Sequence, residues 1–281
     1  MRFGFHVSIR GGFKNVVARA QERNCETIQI FSRNPRGWKY RPLDDHDIAL
    51  FRLEIEMHDI WPLFVHMPYL VNLASMDRIL FRRSLDSLVD GLKRSARIGA
   101  AFLIMHVGSA PDPSRGLKQM SRGINRALHR APNDIKILLE NTAGSGNELG
   151  HDFRQLKEII GGIEQDDRVG VVLDTAHAFA AGYDLRTEKA VNTTISEFDR
   201  SVGLRRLSLI HLNDSKTDCG SHRDRHWHIA QGKIGRGMSH ILQHPALQDL
   251  PIIMETPRTD LKEDLMNLRQ VKKLIQRRRN R

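Results

Sequence analysis

The sequence predicts an α/β protein built as one (β/α)8 TIM barrel, and three observations carry that prediction. Short β-branched or apolar runs alternate with longer amphipathic stretches about eight times along 281 residues, the pattern of parallel strands joined by right-handed crossovers. The length suits one well-buried core and an ordinary eightfold barrel. The longer loops follow strands rather than precede them, as in a barrel that carries its site on the C-terminal face. A doubly wound open sheet gives a similar alternation, so periodicity alone leaves both architectures standing.

In chain order, strands are predicted over residues 2–6, 27–31, 63–66, 102–106, 136–140, 169–174, 207–212 and 252–255. Each is rich in Val, Ile, Leu or Phe and too short for a helix. Helices are predicted over 12–23, 45–58, 78–98, 115–130, 153–161, 188–202, 238–243 and 262–276, where apolar residues return every three or four positions. The long loops are 32–44, 67–77, 141–152 and 213–237, and all four leave the end of a strand. Gly11-Gly12 reads as the tight turn opening the first helix, and Gly144 and Gly146 read as turn residues, because no P-loop Lys-Ser/Thr follows them.

No Pro-, Gly- or Ser-rich linker interrupts the pattern, so residues 1–281 are expected to form a single domain ending in a basic tail from about 272 to 281. The composition, 40% hydrophobic and 27% charged, is that of a globular chain. Lys and Arg outnumber Asp and Glu by 44 to 33, a formal charge of +11 that favours polyanionic partners such as nucleic acid or acidic membranes. Part of the excess is the terminal run Lys272, Lys273, Arg277, Arg278, Arg279 and Arg281, a pattern usual for a solvated tail. Cys25 and Cys219 cannot make a disulfide framework and fit a reducing compartment. The N-terminus lacks a signal-peptide pattern and no run approaches the ~20 apolar residues of a membrane span. A soluble, cytoplasmic protein without a membrane partner is expected.

The chemistry gathers at the strand ends. Six of the eight predicted strands finish on or next to His66, His106, Glu140, Asp174, His211 and Glu255. Closing the sheet brings these ends to one rim, and a mixed set of imidazoles and carboxylates suits Zn2+, Mn2+ or Fe2+ better than Ca2+ or Mg2+. Asp174 and His177 flank one strand-to-loop junction, and Asp224-Arg225-His226 is an Asp-x-His step whose alternate side chains point the same way when extended. A single histidine is more often a surface or core residue than a ligand, so His6, His46, His58, His129 and His151 are left as such. Ser109 has no His and Asp partners for a nucleophilic triad.

Read together, these motifs resemble the endonuclease IV family of apurinic/apyrimidinic endonucleases. The resemblance runs from His6-Val7-Ser8 to Glu255-Thr256. It is densest in the stretch from Asp174-Thr175-Ala176-His177 to Tyr183-Asp184, in His211-Leu212-Asn213-Asp214-Ser215-Lys216 and in Arg223-Asp224-Arg225-His226, with support from Leu138-Leu139-Glu140-Asn141-Thr142-Ala143-Gly144 and His66-Met67-Pro68-Tyr69-Leu70-Val71-Asn72-Leu73. It implies three zinc ions, with Mn2+ an alternative at some sites. One would lie on His66, His106 and Glu140, a second on Glu140, Asp174, His211 and Glu255, and a third on His177, Asp224 and His226. It implies hydrolysis of the phosphodiester bond 5′ to an abasic site in duplex DNA, leaving a 3′-hydroxyl and a 5′-deoxyribose phosphate, together with trimming of blocked 3′ ends in base excision repair. Glu140 and Glu255 are the expected catalytic carboxylates, Arg36 and Tyr69 the expected DNA contacts, and a monomer in a bacterial or archaeal type of cytoplasm the expected form. The chain departs from the family at Ala230-Gln231-Gly232, where a Gly-Glu-Gly stretch is usual. That exchange restricts the backbone and removes a negative charge.

Two other readings use the same residues. A sugar isomerase or epimerase of this barrel class would hold one metal on Glu140, Asp174, His211 and Glu255, leaving His66, His106, His177, Asp224 and His226 without a role. A catalytically inert DNA-binding barrel would have no physical use for nine metal-type side chains at one rim.

Overall fold

The computed structural model describes residues 1–39, 41–257 and 260–276. Eight parallel strands close a barrel: β1 (Phe3–Val7), β2 (Thr27–Phe31), β3 (Leu63–His66), β4 (Phe102–His106), β5 (Lys136–Glu140), β6 (Val169–Asp174), β7 (Leu207–His211) and β10 (Ile252–Met254), with β10 pairing back onto β1. Closure decides between the two architectures that the periodicity allowed. The helices α1 (Val16–Glu22), α2 (Asp45–Met57), α3 (Arg78–Ile98), α4 (Pro113–Arg130), α5 (Phe153–Gly161), α6 (Thr175–Ala181), α7 (Glu188–Ser201), α8 (Met238–Gln243) and α9 (Leu261–Gln276) lie between successive strands or follow the last. None is long and apolar enough to cross a membrane.

Two cores hold the barrel. Inside it, Phe64, Ile104, Leu138, Val172, Leu209 and Ile253 form a solvent-free plug. Outside, a larger apolar layer joins the sheet to the helices, so the strands are buried on both faces and read as nearly continuous apolar runs. Asp44, Asp77, Asp112, Asp152 and Thr187 each accept a backbone amide from the first turn of α2, α3, α4, α5 and α7, each cap contributing ~0.5–2 kcal/mol.

The structure refines several sequence boundaries. The first strand runs over Phe3–Val7 rather than 2–6. The predicted helix 12–23 starts as a 3-10 turn over Phe13–Asn15 and becomes α-helical at Val16, after Gly11 and Gly12 turn the chain at φ 84° and 100°. The seven-residue helix α6 lies inside a stretch read only as a motif. In the loop 213–237, β8 (Asp214–Ser215) and β9 (His226–Trp227) form a two-residue antiparallel ladder. Both escaped the sequence because elements so short carry no measurable period. Of the basic tail, Lys272 and Lys273 lie in α9, whereas Arg277, Arg278, Arg279 and Arg281 lie outside the described residues.

Ala230 occupies the left-handed region at φ 58°. A side chain there costs more than the freedom glycine would lose on folding. Ala230→Gly is expected to stabilise the protein by about 0.5–1 kcal/mol, seen as a rise of about 1–3 °C in Tm; an unchanged or lower Tm would contradict it.

Candidate metal centre

The site follows from strand periodicity. Side chains two apart on a strand share a face, and every member of the inner plug lies two residues before a candidate ligand. Phe64 precedes His66, Ile104 precedes His106, and Leu138 precedes Glu140; Val172, Leu209 and Ile253 precede Asp174, His211 and Glu255 in the same way. The plug is therefore the floor of a polar layer made by the next inward-facing side chains. His6 on β1 and Gln29 on β2 complete that layer, paired with each other in register. The cleft above it has a volume of about 540 Å3 and is lined by Phe31, Tyr69, Arg225 and Thr256 as well as the histidines.

Glu140 stands at the centre, fully buried. Its Oε2 lies 3.1 Å from His66 Nε2 and 3.3 Å from His106 Nε2, while its Oε1 lies 2.9 Å from His211 Nδ1. One carboxylate thus presents an oxygen to each of two donor groups: His66, His106 and Glu140 on one side, and Glu140, Asp174, His211 and Glu255 on the other. A third group contains His177 and His226, whose Nε2 atoms are 3.3 Å apart. Asp174 closes that group most compactly. Asp224, expected there from the sequence, is also in reach, its carboxylate 3.3 Å from His177 Nε2 and 3.5 Å from His226 Nε2. All nine predicted donors meet at one rim, and Asp174 faces two of the three groups.

Hydrogen bonds from behind aim the imidazoles. His66 Nδ1 donates to the Met67 carbonyl at 2.7 Å, His177 Nδ1 to the Asn141 carbonyl at 2.9 Å, and His226 Nδ1 to the Glu255 carbonyl at 3.2 Å. Each bond turns Nε2 toward the cluster. His211 is reversed: Nε2 faces Gln29 Oε1 at 2.8 Å and Nδ1 faces the acids. Gln29 also donates to Glu255 at 2.6 Å, so one buried amide orients a ligand pair. Asn213 donates to Asp174 Oδ2 at 2.7 Å and accepts the Glu255 amide at 2.8 Å, tying two strand ends together. Asp174 has a second task, since its Oδ1 accepts the His177 amide and caps α6.

Buried Asp214 holds the loop that carries the third group. Its carboxylate accepts the amides of Ser215, Gly232, Ile234 and Gly235. A Cβ at Gly232 would fall 2.3 Å from the Ser215 carbonyl, so the last residue of the divergent Ala230-Gln231-Gly232 stretch must stay glycine. Gln231 is exposed and turned toward Met266.

The donor chemistry fits metal ions. Among the described residues, every ion-pair partner of Glu140, Asp174, Asp224 and Glu255 is a histidine. Burial pushes Glu140 upward, but His211 and His106 hold it well below the usual carboxylate range. Burial likewise opposes ionisation of Asp224, and the bond from His177 brings it down to about 2. His211 would lose its proton through burial alone, yet Glu140 and Glu255 raise it to about 9. The acids are poised as anions and recruit protons onto the imidazoles when nothing stronger balances them, which is the electrostatic setting of a cation site.

Sequence reasoning missed Gln29, Asn141, Asn213 and Asp214, and left His6 aside. Gln29 had a signal, as an amide inside the apolar run Thr-Ile-Gln-Ile-Phe, and His6 ended a predicted strand. His6 Nδ1 lies 3.5 Å from Glu255 Oε1. His46, His58, His129 and His151 stay outside the three groups. Arg36 is exposed on the loop 32–44, and Tyr69, 68% exposed, stands at the cleft mouth with its ring edge-on to Phe31.

A family model described as a xylose isomerase-like TIM barrel matches residues 17–277. The probable endonuclease 4 of Methanoculleus marisnigri is 44% identical over 275 residues, covering 96% of this chain and 98% of that protein. The crystal structure of endonuclease IV from Thermus thermophilus superposes with a TM-score of 0.89 at 36% identity, covering 99% of this chain and 100% of that one. A D-tagatose 3-epimerase-like protein aligns over 99% of both chains at a TM-score of 0.75 but 18% identity, a likeness of fold alone.

Two outcomes test the electrostatics. Gln29→Leu is expected to weaken metal binding about 10–100-fold with the circular dichroism of the fold kept; unchanged affinity in a metal titration would contradict the orienting role. After metal removal, the His211 contribution should be complete below its unfolded value of 6.5 and lost as pH rises through about 9. The depressed Glu140 and Glu255 contribute above 4.5 and lose that contribution as pH falls. Stripped protein should therefore show its highest Tm between pH 4.5 and 6.5, whereas metal-loaded protein should keep its Tm up to about pH 9.

Proposed function

This chain belongs to the endonuclease IV family of AP endonucleases, and from that premise we propose that it hydrolyses the phosphodiester bond 5′ to abasic sites in duplex DNA, with zinc held at three donor groups. The observation carrying the proposal is the meeting of eight metal-type side chains in three overlapping groups above one apolar floor, with Asp224 beside the third group as a ninth. The products would be a 3′-hydroxyl and a 5′-deoxyribose phosphate, and blocked 3′ ends would be trimmed by the same chemistry.

His66, His106 and Glu140 would hold one ion, Glu140, Asp174, His211 and Glu255 a second, and His177, Asp224 and His226 a third, with Mn2+ an alternative at some of them. Bound there, the ions supply Lewis acidity, which lowers the pKa of water and neutralises phosphate oxygens. The protein supplies orientation. Glu255 combines a place in the donor set with exposure to the cleft, its side chain 17% accessible, so it can ligate and also align an attacking water. Glu140, with an oxygen toward each of two groups, fixes their spacing.

Around the cleft, Arg225 would offer a guanidinium to a backbone phosphate and Tyr69 would press against the duplex at the cleft mouth, with Arg36, exposed on the loop 32–44, as the further DNA contact. A bulky ring or guanidinium beside an unstacked nucleotide can fill the space it leaves. Counter-ion release at such contacts makes binding fall steeply with salt.

A single-metal isomerase reading uses only one of the three groups. Stoichiometry separates the two, with near three ions per chain expected here and near one for the isomerase. A duplex carrying one tetrahydrofuran abasic analogue, which no lyase can cut by β-elimination, should be nicked by metal-replete protein and spared after zinc chelation. Glu255→Gln should reduce nicking by roughly three orders of magnitude or more while DNA binding persists. Failure of the metal-replete parent to nick would overturn the proposal.

A further inference from the structure

The loop over residues 32–44 carries Arg36, contains no helix or strand among its described residues and begins where β2 ends. Its backbone is tied to α3 by guanidinium groups. Arg94, 8% exposed, donates through Nε and Nη2 to the Ser32 carbonyl at 3.1 and 2.6 Å, and through Nη1 to the Arg41 carbonyl at 2.9 Å. Ser32 and Arg41 bracket the turn that presents Arg36, so one planar group binds both ends of it. Arg33, 6% exposed, points back from the loop, donating to Ser87 Oγ on α3 and across the turn to the Trp38 carbonyl at 3.4 Å. At the tip, the Arg36 amide donates to Asn34 Oδ1 at 3.0 Å.

We propose that Arg94 is a positioning residue for DNA recognition, a staple that fixes the loop at Ser32 and at Arg41 so that Arg36 is presented in register with the cleft. The inference rests on the nuclease reading and deepens it by assigning the loop's rigidity to a residue that touches neither metal nor DNA. The fork geometry of arginine is essential. Three of its N–H groups reach two carbonyls facing different edges of one plane, and a lysine ammonium on its flexible stem cannot span both. A loop held this way meets DNA without first losing its conformational freedom, so the staple acts on binding and not on the chemical step.

The test compares Arg94→Lys and Ser87→Ala with the parent on the tetrahydrofuran duplex. Arg94→Lys should raise KM about tenfold with kcat and the number of bound ions kept. Ser87→Ala, which removes only the Arg33 anchor, should raise KM less. An unchanged KM, or a kcat that falls in proportion to kcat/KM, overturns the proposal. Amide hydrogen exchange across residues 32–43 separates this claim from the function itself. It should quicken in Arg94→Lys whatever the substrate, and unchanged exchange overturns the staple. A parent that exchanges slowly there yet leaves the duplex intact overturns the nuclease reading, and with it the assigned role in DNA recognition.

Discussion

Four carboxylates share a space in which their only ion-pair partners, among the described residues, are histidines. Buried negative charge on that scale is costly unless cations or protons balance it. The rest of the rim serves this constraint. Backbone carbonyls and the Gln29 amide turn one nitrogen of His66, His177, His226 and His211 inward, and Asn213 spans the ends of β6 and β10. The apolar plug beneath excludes water from below, which strengthens every electrostatic interaction above it.

The same barrel serves different chemistries, and the epimerase-like likeness at 18% identity is a case in point. Fold alone assigns no activity. What separates this chain from a one-metal barrel is the second and third donor group, contributed by β3, β4, the first turn of α6 and the loop leading into β9. These lie on both sides of the shared central acids, so the cluster grows sideways from Glu140 and Asp174.

Much of this was legible in the sequence because barrel closure is a simple geometric rule. An apolar residue followed two positions later by His, Asp or Glu at a strand end recurs on six strands, and closure converts that repetition into a cluster. His6 and Gln29 take the matching inward places on β1 and β2, but Gly4 and Thr27 stand two positions before them and neither His6 nor Gln29 ends its strand, and they were passed over: a lone histidine has many ordinary uses, and glutamine is no usual ligand. The supporting amides Asn141 and Asn213 were hidden for a different reason. Their partners are backbone groups and acids from other strands, and no local pattern encodes a contact across 33 or 39 residues. The β8–β9 ladder and α6 were too short to leave a period, and Asp214 owes its role to amides 18 to 21 residues away. Arg94 is hidden for the same reason, its carbonyl partners lying 62 and 53 residues away.

Asp174 ends a strand, starts a helix and faces two donor groups with a single side chain. Most enzymes can drift in stability while their reactive groups stay fixed, because the two properties reside in different residues. At this position they are coupled. A replacement without a side-chain oxygen at that reach removes the donor and uncaps the helix bearing His177 at once, and any change in how that helix leaves the sheet re-aims the donor. Evolution can therefore tune this corner of the molecule only through its neighbours, such as Thr175, Asn141 and Asn213, which adjust the setting while leaving the carboxylate in place.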